Sequence, residues 1–317
     1  MRRPLPLKTA FRRNLTLTTL TFMILVGYTS PTYAASTPRP KNENIVVHGI
    51  STKAVRHLVE VMVSSPSWDH QLARWDSKLC PLVAGAPELF KGVLLSHLYS
   101  NAQIVLHGLS KDCEIKNVII FFSENGQQSF NEILNKYPSL IKGYNSIGLN
   151  RDDYEELSRS EIEALQADRP VRWYRSTSTE PASGTIVGKD PLSGKLTTSS
   201  IDGGSRILQH TQARTTSVIV IIDITEASGA TWKQLADYIS FVVLAGPKLG
   251  ENFNAISIMS LYNNRTFQKT APPAMTPFDS AIIQALYESE TAVQSHDEQL
   301  EITQSVISRL GSSLHLN

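Results

Sequence analysis

The sequence SVIVIID at residues 217–223 begins the stretch that decides the fold. Its uninterrupted apolar run is typical of a β-strand that is covered on both faces. The next segment, TWKQLADYISFVVLA at residues 231–245, is apolar nearly all round at helical spacing, which predicts a central helix. Gly246 and Pro247 end this helix, because glycine is common just after the last helical residue and proline cannot continue it.

Two further motifs follow the predicted central helix. Residues 257–262 (SIMSLY) predict a turn that contains Met259. Residues 276–287 (TPFDSAIIQALY) predict a last helix with Asp279 in its first turn, where a negative charge suits the helix dipole. The chain therefore has the order strand, helix, Met-containing turn, helix.

This order resembles the matrixin-like zinc peptidases, in which an apolar strand precedes a helix that carries the motif HExxH. The resemblance rests on Met259 and Tyr262 in the turn and on Asp279, Leu286 and Tyr287 in the last helix. It implies an α+β fold, a zincin-like mixed sheet with packed helices. The segments LADYISFVVLA and SIMSLY are also similar to those of a family of exported proteobacterial proteins of unassigned function with this layout.

The residues that would bind zinc are missing from the predicted central helix. In HExxH the two histidines hold the metal and the glutamate activates a water molecule. On that frame Ala236 and Ser240 take the histidine positions and Asp237 takes the glutamate position. Alanine has no lone pair to offer, a hydroxyl is a poor zinc ligand, and no HxxxH pair occurs in the chain. We therefore expect a degenerate site with no metal and no other cofactor.

A cleft is still predicted along this stretch. Its acidic residues could face one another, and paired carboxylates can act as acid and base; the alternative is that they cap helices. Its aromatic residues and its methionine could line a groove or simply fill the core. The candidate residues are Asp223, Asp237, Tyr238, Ser240, Met259, Tyr262 and Asp279.

The N-terminus has the features of a secretory signal peptide. Five of the 30 Lys and Arg residues, and none of the 29 Asp and Glu residues, come before residue 35. A short, threonine-rich apolar core at residues 15–28 leads to Thr32 and Ala34, which suit cleavage after Ala34. We expect residues 1–34 to be removed, leaving a periplasmic or secreted protein with no stable membrane span. Arg12 and Arg13 leave the general and the twin-arginine export routes open.

The remaining chain is predicted to be mildly acidic and to contain one disulfide bond. Without residues 1–34 it has 25 basic and 29 acidic residues, a net charge of −4, so it has no overall attraction for nucleic acid. Cys80 and Cys113 are its two cysteines, and in an exported chain such a pair most simply forms one disulfide. The alternative is two free thiols, one of them a nucleophile.

The domain organisation is predicted from composition and spacing. We expect a disordered lead-in at residues 35–43 and a single α+β domain at residues 44–290. Within that domain, residues 101–109 (NAQIVLHGL) predict a strand. Residues 176–204, of which 16 of 29 are Ser, Thr or Gly, predict a flexible loop or an exposed hairpin. Residues 291–317 predict a final helix that packs on the body or meets a partner.

Three functions fit these expectations. The first is a non-catalytic exported protein that binds a peptide or a cell-envelope component through the degenerate peptidase-like cleft or the 176–204 segment. The second is a metal-independent hydrolase that uses Asp237 and Asp279. The third is a structural protein that assembles through its C-terminal helix.

Overall fold

The computed structural model describes residues 50–64, 71–106, 113–138, 143–145, 154–155, 157–181, 185–189, 196–200 and 211–310. The predicted signal peptide and the predicted lead-in lie outside these residues. The described residues form a mixed sheet with helices packed on both faces, and a separate pair of strands. The α+β character of the predicted fold is therefore confirmed.

The helices and strands alternate through most of the described chain. The α-helices are α1 (Thr52–Met62), α2 (Glu88–Ala102), α3 (Gly126–Lys136), α4 (Arg159–Gln166), α5 (Trp232–Ala245), α6 (Pro277–Glu288) and α7 (Ser295–Leu310). A 3₁₀ segment, Ile258–Arg265, lies between α5 and α6. The strands are β1 (Pro81–Ala84), β2 (Val118–Ser123), β3 (Gly143–Asn145), β4 (Tyr154–Glu155), β5 (Val171–Pro181), β6 (Thr185–Lys189), β7 (Leu196–Ser200) and β8 (Thr211–Asp223).

The main sheet has the strand order β1-β2-β8-β5-β3-β4. Strands β1, β2 and β8 run parallel, and β5 lies antiparallel to β8 along its whole length. Strands β6 and β7 pair with each other as a separate antiparallel hairpin. The long β5–β8 pair is therefore the centre of the sheet.

Both faces of β8 are buried, as its apolar run predicts. Val218, Val220 and Ile222 belong to the larger core, which also contains residues of α1, α2, α5, α6 and α7. Ile219 and Ile221 belong to a smaller core with residues of α3 and α4. Because successive side chains of a strand point to opposite faces, a strand that is covered on both sides needs apolar residues at every position.

Helix α5 is the central helix that the sequence predicts. Thr231 caps its N-terminus and forms a capping box with Gln234. Gly246 follows its last residue with a left-handed backbone (φ 64°), a conformation in which a Cβ atom is disfavoured. Every residue of α5 from Gln234 to Ala245 is buried, so α5 lies at the centre of the larger core.

The strand predicted at residues 101–109 is wrong over the residues that the structure describes. Helix α2 continues to Ala102 and a turn follows it at residues 103–105. Ala102 extends the buried stripe of Phe90, Leu94 and Leu98, since it is four residues after Leu98. The apolar residues that suggested a strand begin with Ile104, which is exposed in the turn after the helix. Residues 107–109 lie outside the described part of the chain.

The flexible loop predicted at residues 176–204 also needs correction. Residues 176–181 continue β5, and Thr177 and Ser178 are buried beside β8. Residues 185–189 and 196–200 form the antiparallel β6–β7 pair, as the alternative of a hairpin predicts. Small hydroxyl-bearing residues mark loops only weakly, because β-branched threonine suits a strand whenever a partner strand is available.

The C-terminal helix and the disulfide agree with the sequence. Helix α7 packs on α1 and α6 and buries Ile302, Val306 and Leu310, so it packs on the body of the domain. Cys80 and Cys113 form a disulfide with a Cα–Cα distance of 5.9 Å. No helix within the described ranges is both long enough and apolar enough to cross a membrane.

Candidate functional site

Asp279 is not part of a cleft. Its side chain has no solvent exposure, and its carboxylate accepts hydrogen bonds from Ser257 Oγ (2.5 Å), Ile258 N (2.9 Å), Thr276 N (2.8 Å) and Thr276 Oγ1 (2.9 Å). Burial raises the pKa of Asp279 to about 6, although all four donors oppose that rise. Asp279 therefore joins the start of α6 to the start of the 3₁₀ segment.

Asp237 also has a structural role, because its carboxylate binds groups of neighbouring segments. Its carboxylate lies 2.6 Å from His97 Nδ1 and accepts from Asn101 Nδ2 at 3.2 Å, which ties α5 to α2. Its second oxygen accepts from Met275 N at 3.0 Å, just before α6. The buried carboxylate thus joins three segments of the larger layer.

Asp223 has a similar role at the end of β8. Its carboxylate accepts from Gly126 N (2.8 Å) at the start of α3 and from the backbone N–H groups of Thr225 (3.0 Å) and Glu226 (3.1 Å). Burial alone would raise its pKa, but these bonds and one from the Thr225 hydroxyl hold the pKa below its usual value. The three candidate aspartates therefore bond to three different sets of partners. Asp223 and Asp279 bind backbone N–H groups at the starts of helices, as the capping alternative predicts, whereas Asp237 lies within α5 and joins neighbouring segments.

The positions where zinc ligands would stand are closed. Ala236 and Ser240 have no solvent exposure, and the Ser240 hydroxyl donates to the Ala236 carbonyl oxygen at 2.8 Å within α5. In the part of the chain that the structure describes, no group of three or more His, Cys, Asp or Glu side chains could hold a metal ion.

The other three candidates, Tyr238, Met259 and Tyr262, meet at a cavity of about 210 Å³, which we call the arginine–aromatic cavity. Neither the three aspartates nor Ser240 lines it. The lining residues come from the start of β5, from α5, from the loop after α5 and from the 3₁₀ segment. They are Arg169, Pro170, Val171, Trp173, Tyr238, Gly250, Glu251, Asn252, Phe253, Met259, Tyr262, Asn264 and Arg265.

Three aromatic rings form one wall of the cavity. Tyr238 makes edge-to-face contacts with Tyr262 (centroids 5.3 Å apart) and with Trp173 (6.1 Å), an arrangement that aromatic rings prefer. Trp173 Nε1 donates to the Pro247 carbonyl at 2.9 Å, and the Tyr262 hydroxyl donates to the Ala227 carbonyl at 3.1 Å. Burial raises the pKa of both tyrosines, so their hydroxyls stay protonated at neutral pH.

The rim of the cavity is held in a strained backbone. Asn264 (φ 52°) and Arg265 (φ 61°) are consecutive non-glycine residues with left-handed backbones, each of which costs of order 1–3 kcal/mol. A reciprocal pair of hydrogen bonds fixes this turn to the loop after α5. Asn252 Nδ2 donates to Asn264 Oδ1 at 2.9 Å, and Asn264 N donates to Asn252 Oδ1 at 2.7 Å. Strain that is held in this way occurs often at ligand sites.

A second reciprocal pair lies one residue deeper. Phe253 N donates to Asn263 Oδ1 at 2.8 Å, and Asn263 Nδ2 donates to the Phe253 carbonyl at 2.7 Å. These two reciprocal pairs, Asn252 with Asn264 and Asn263 with Phe253, fix the turn that carries the exposed Arg265, while Phe253 forms part of the buried floor. The cavity therefore opens to solvent beside Arg265.

Arg169 brings a positive charge into the cavity wall. Its residue is only 6% exposed, and its Nε is buried without a hydrogen-bond partner among the described residues. Gly250 lies against it, because a Cβ atom on Gly250 would be 3.7 Å from Arg169 Nη2. Burial, and next the charge of Arg265, lower the pKa of Arg169 to about 10. The guanidinium is still charged at neutral pH.

The cavity has little negative charge to balance Arg169. Glu251 is the acidic residue among its described lining residues, and it forms an ion pair with Lys248 (3.0 Å) at the surface. Arg172, whose charge also lowers the pKa of Arg169, lies behind the cavity wall. The lining therefore carries an excess of positive charge.

Sequence reasoning missed the arginines. Residues 168–175 read DRPVRWYR, which places Arg172 and Arg175 within a predicted strand and Arg169 just before it. Arginines beside aromatic residues in a strand that is buried on both faces are unusual, and this could have marked the segment. The hydrogen-bonded pairs at the rim, Asn252 with Asn264 and Asn263 with Phe253, could not be predicted from the sequence, because they depend on two loops that meet only in the folded chain.

Comparison of the chain with family models, with curated proteins and with solved structures found no significant match.

Proposed function

We propose that this chain is an exported, non-catalytic binding protein with a zincin-like layout, and that it binds a peptide or a cell-envelope component in the arginine–aromatic cavity. The order of β8, α5, the 3₁₀ segment and α6 supports the layout, as does the packing of the last two on α5. The signal-peptide features and the disulfide support export.

The observation that carries the binding function is the construction of the cavity. A strained turn, two reciprocal hydrogen-bonded pairs (Asn252 with Asn264 and Asn263 with Phe253) and a wall of three rings come from distant parts of the chain and meet around one space. A cavity that served only as a packing defect would need none of these. Aromatic walls with a few fixed polar groups are typical of sites that bind small ligands or peptide side chains.

The chemistry of the lining supports binding without catalysis. A hydrolase that used Asp237 and Asp279 would need at least one of the two carboxylates at a reacting group. Both accept several hydrogen bonds from the protein, and neither lines the cavity.

Titration calorimetry of the purified protein with pools of short peptides and of cell-wall fragments tests the proposal. We expect saturable heat that Val171→Phe removes, because the larger side chain fills the cavity; overpacking should cost about 1–3 kcal/mol of stability. Ile133→Phe, on the other face of the sheet, is the matched control and should bind like the wild type.

Two further variants separate binding from turnover. Asp237→Asn and Asp279→Asn should leave the binding heat in place, since neither residue lines the cavity. Hydrolysis of a bound peptide that these variants abolish, or one equivalent of tightly held zinc in the purified protein, would overturn the non-catalytic proposal.

A further inference from the structure

Arg169 is a buried cation without a counter-ion among the described residues. A charged group that leaves water loses its hydration, and proteins normally offset that loss with an opposite charge and hydrogen bonds. The buried Nε of Arg169 has no partner, and the same holds for the Nε atoms of three other buried arginines, Arg74, Arg172 and Arg175. Those three each donate at least one hydrogen bond from the guanidinium to a backbone carbonyl, whereas the guanidinium of Arg169 donates none to a described residue. The charged side chain thus borders the cavity with unused donors.

Other buried charges of this protein show what Arg169 lacks. Arg74 is equally buried, and it forms an ion pair with the fully buried Glu298 and donates to the Ser289 carbonyl at 2.8 Å. Arg172 donates to the carbonyl oxygens of Ala167 (3.2 Å) and Arg169 (3.4 Å). Burial lowers the pKa of Arg172, and the charge of Asp223 opposes that shift. Arg169 has instead a second guanidinium, that of Arg265, as its strongest charged neighbour.

The unused donors of Arg169 call for an anion, and the lining favours a carboxylate. The flat fork of a guanidinium matches the two oxygens of a carboxylate. A phosphate dianion would need more donors, such as a cluster of backbone N–H groups. Its double negative charge would also be repelled by Glu251 more strongly than the single charge of a carboxylate. The aromatic wall suits an apolar body attached to the anionic group. The cavity itself holds about 210 Å³, enough for a small body. Arg169, Trp173 and Arg265 also line an adjoining pocket of about 630 Å³, into which a longer ligand can extend.

We infer that the arginine–aromatic cavity binds a carboxylate that carries a small apolar or aromatic body, with the carboxylate paired to Arg169 and closed in by Arg265. This inference rests on the proposed binding function and specifies its ligand. The same chemistry is offered by a free aromatic acid and by the C-terminal residue of a peptide.

Titration of the purified protein with matched probes tests the inference. The probes are phenylacetate, the tripeptide Ala-Ala-Phe with a free C-terminus, the same tripeptide with a C-terminal amide, and inorganic phosphate. We expect both carboxylates to bind at least about tenfold more tightly than the amide, a difference of about 1.4 kcal/mol, and more tightly than phosphate. Preference for Ala-Ala-Phe over phenylacetate indicates a peptide C-terminus as the source, and the reverse preference indicates a free acid.

Variants of three arginines separate recognition from general charge. Arg169→Met should weaken carboxylate binding at least about tenfold, and Arg265→Met should weaken it less because Arg265 is exposed at the rim. Arg159→Met removes an exposed arginine of α4 that pairs with Glu163 (3.0 Å), and it should bind like the wild type.

Urea denaturation distinguishes an arginine that binds ligand from one that only stabilises the fold. Without ligand, Arg169→Met should have the same midpoint of urea denaturation as the wild type or a higher one, since the variant removes an unpaired buried charge. A concentration of Ala-Ala-Phe that saturates the wild type should raise the midpoint of the wild type more than that of Arg169→Met.

Two results would overturn the inference while the binding proposal stands. One is equal binding of the amide and the free acid. The other is wild-type affinity of Arg169→Met for the carboxylate probes. Failure of all four probes to bind would also overturn the inference; the binding proposal then depends on the separate titration with peptide pools and cell-wall fragments and on its loss in Val171→Phe.

Discussion

At the scale of single residues, Asp279 shows how an acidic side chain can stabilise a turn instead of catalysing a reaction. Its carboxylate binds the first turn of α6 and the start of the 3₁₀ segment, with no access to solvent. Burial disfavours the charged form more than the four hydrogen bonds favour it, so the pKa is about 6 in the folded protein, against 3.8 for an ordinary aspartate.

That difference predicts a pH dependence of stability. Between the two pKa values the folded state binds more protons at Asp279 than the unfolded state does, so its contribution is largest below pH 3.8 and is lost as pH rises through 6. On going from pH 7 to pH 5, the free energy of unfolding of the wild type should rise by about 1 kcal/mol relative to that of Asp279→Asn. Urea denaturation at the two pH values measures this, and parallel pH profiles of the two proteins would contradict it.

At the scale of secondary-structure elements, α7 is fixed to the body by charge as well as by apolar contact. Glu298 is fully buried; it pairs with Arg74, accepts from Leu72 N at 3.1 Å and accepts from Ser289 Oγ at 3.4 Å. The apolar face of α7 lies against α1 and α6. Assembly with a partner through this helix would have to displace these contacts.

Removal of the Glu298 charge should therefore destabilise the protein strongly. Glu298→Gln leaves Arg74 buried without its anion, which should lower the free energy of unfolding by about 3–5 kcal/mol. Glu301→Gln is the matched control one turn away. Glu301 is exposed and, among the described residues, accepts a hydrogen bond from Glu290 N alone, at 3.2 Å, so its loss should cost less than about 1 kcal/mol.

The double variant Arg74→Met with Glu298→Gln tests the same explanation. With the unpaired charge removed, it should recover part of the stability that Glu298→Gln loses, as a double-mutant cycle measured by urea denaturation would show. A double variant less stable than either single variant would mean that the helix is held in another way.

At the scale of the whole molecule, the sequence predicted elements better than it predicted their meeting places. The apolar run of β8 and the nearly uniform apolar surface of α5 are stable only when other elements bury them on all sides, so both elements were predictable. The cavity was predictable only in part: Tyr238, Met259 and Tyr262 line it, but Arg169 joins them from the start of β5. Its position follows from the antiparallel pairing of β5 with β8, which local periodicity does not specify.

The disulfide between Cys80 and Cys113 should contribute to the stability of the whole domain. Cys80 lies just before β1 and Cys113 shortly before β2, so the bond closes a loop of 33 residues that contains α2. Loop closure restricts the unfolded chain, and for this length it should stabilise the folded protein by about 3–4 kcal/mol. The double variant Cys80→Ser with Cys113→Ser should lose that amount in urea denaturation, and a reductant should destabilise the wild type equally while leaving the variant unchanged. A loss below about 1 kcal/mol would show that the unfolded chain is already restricted over this loop, and the bond would then contribute little to stability.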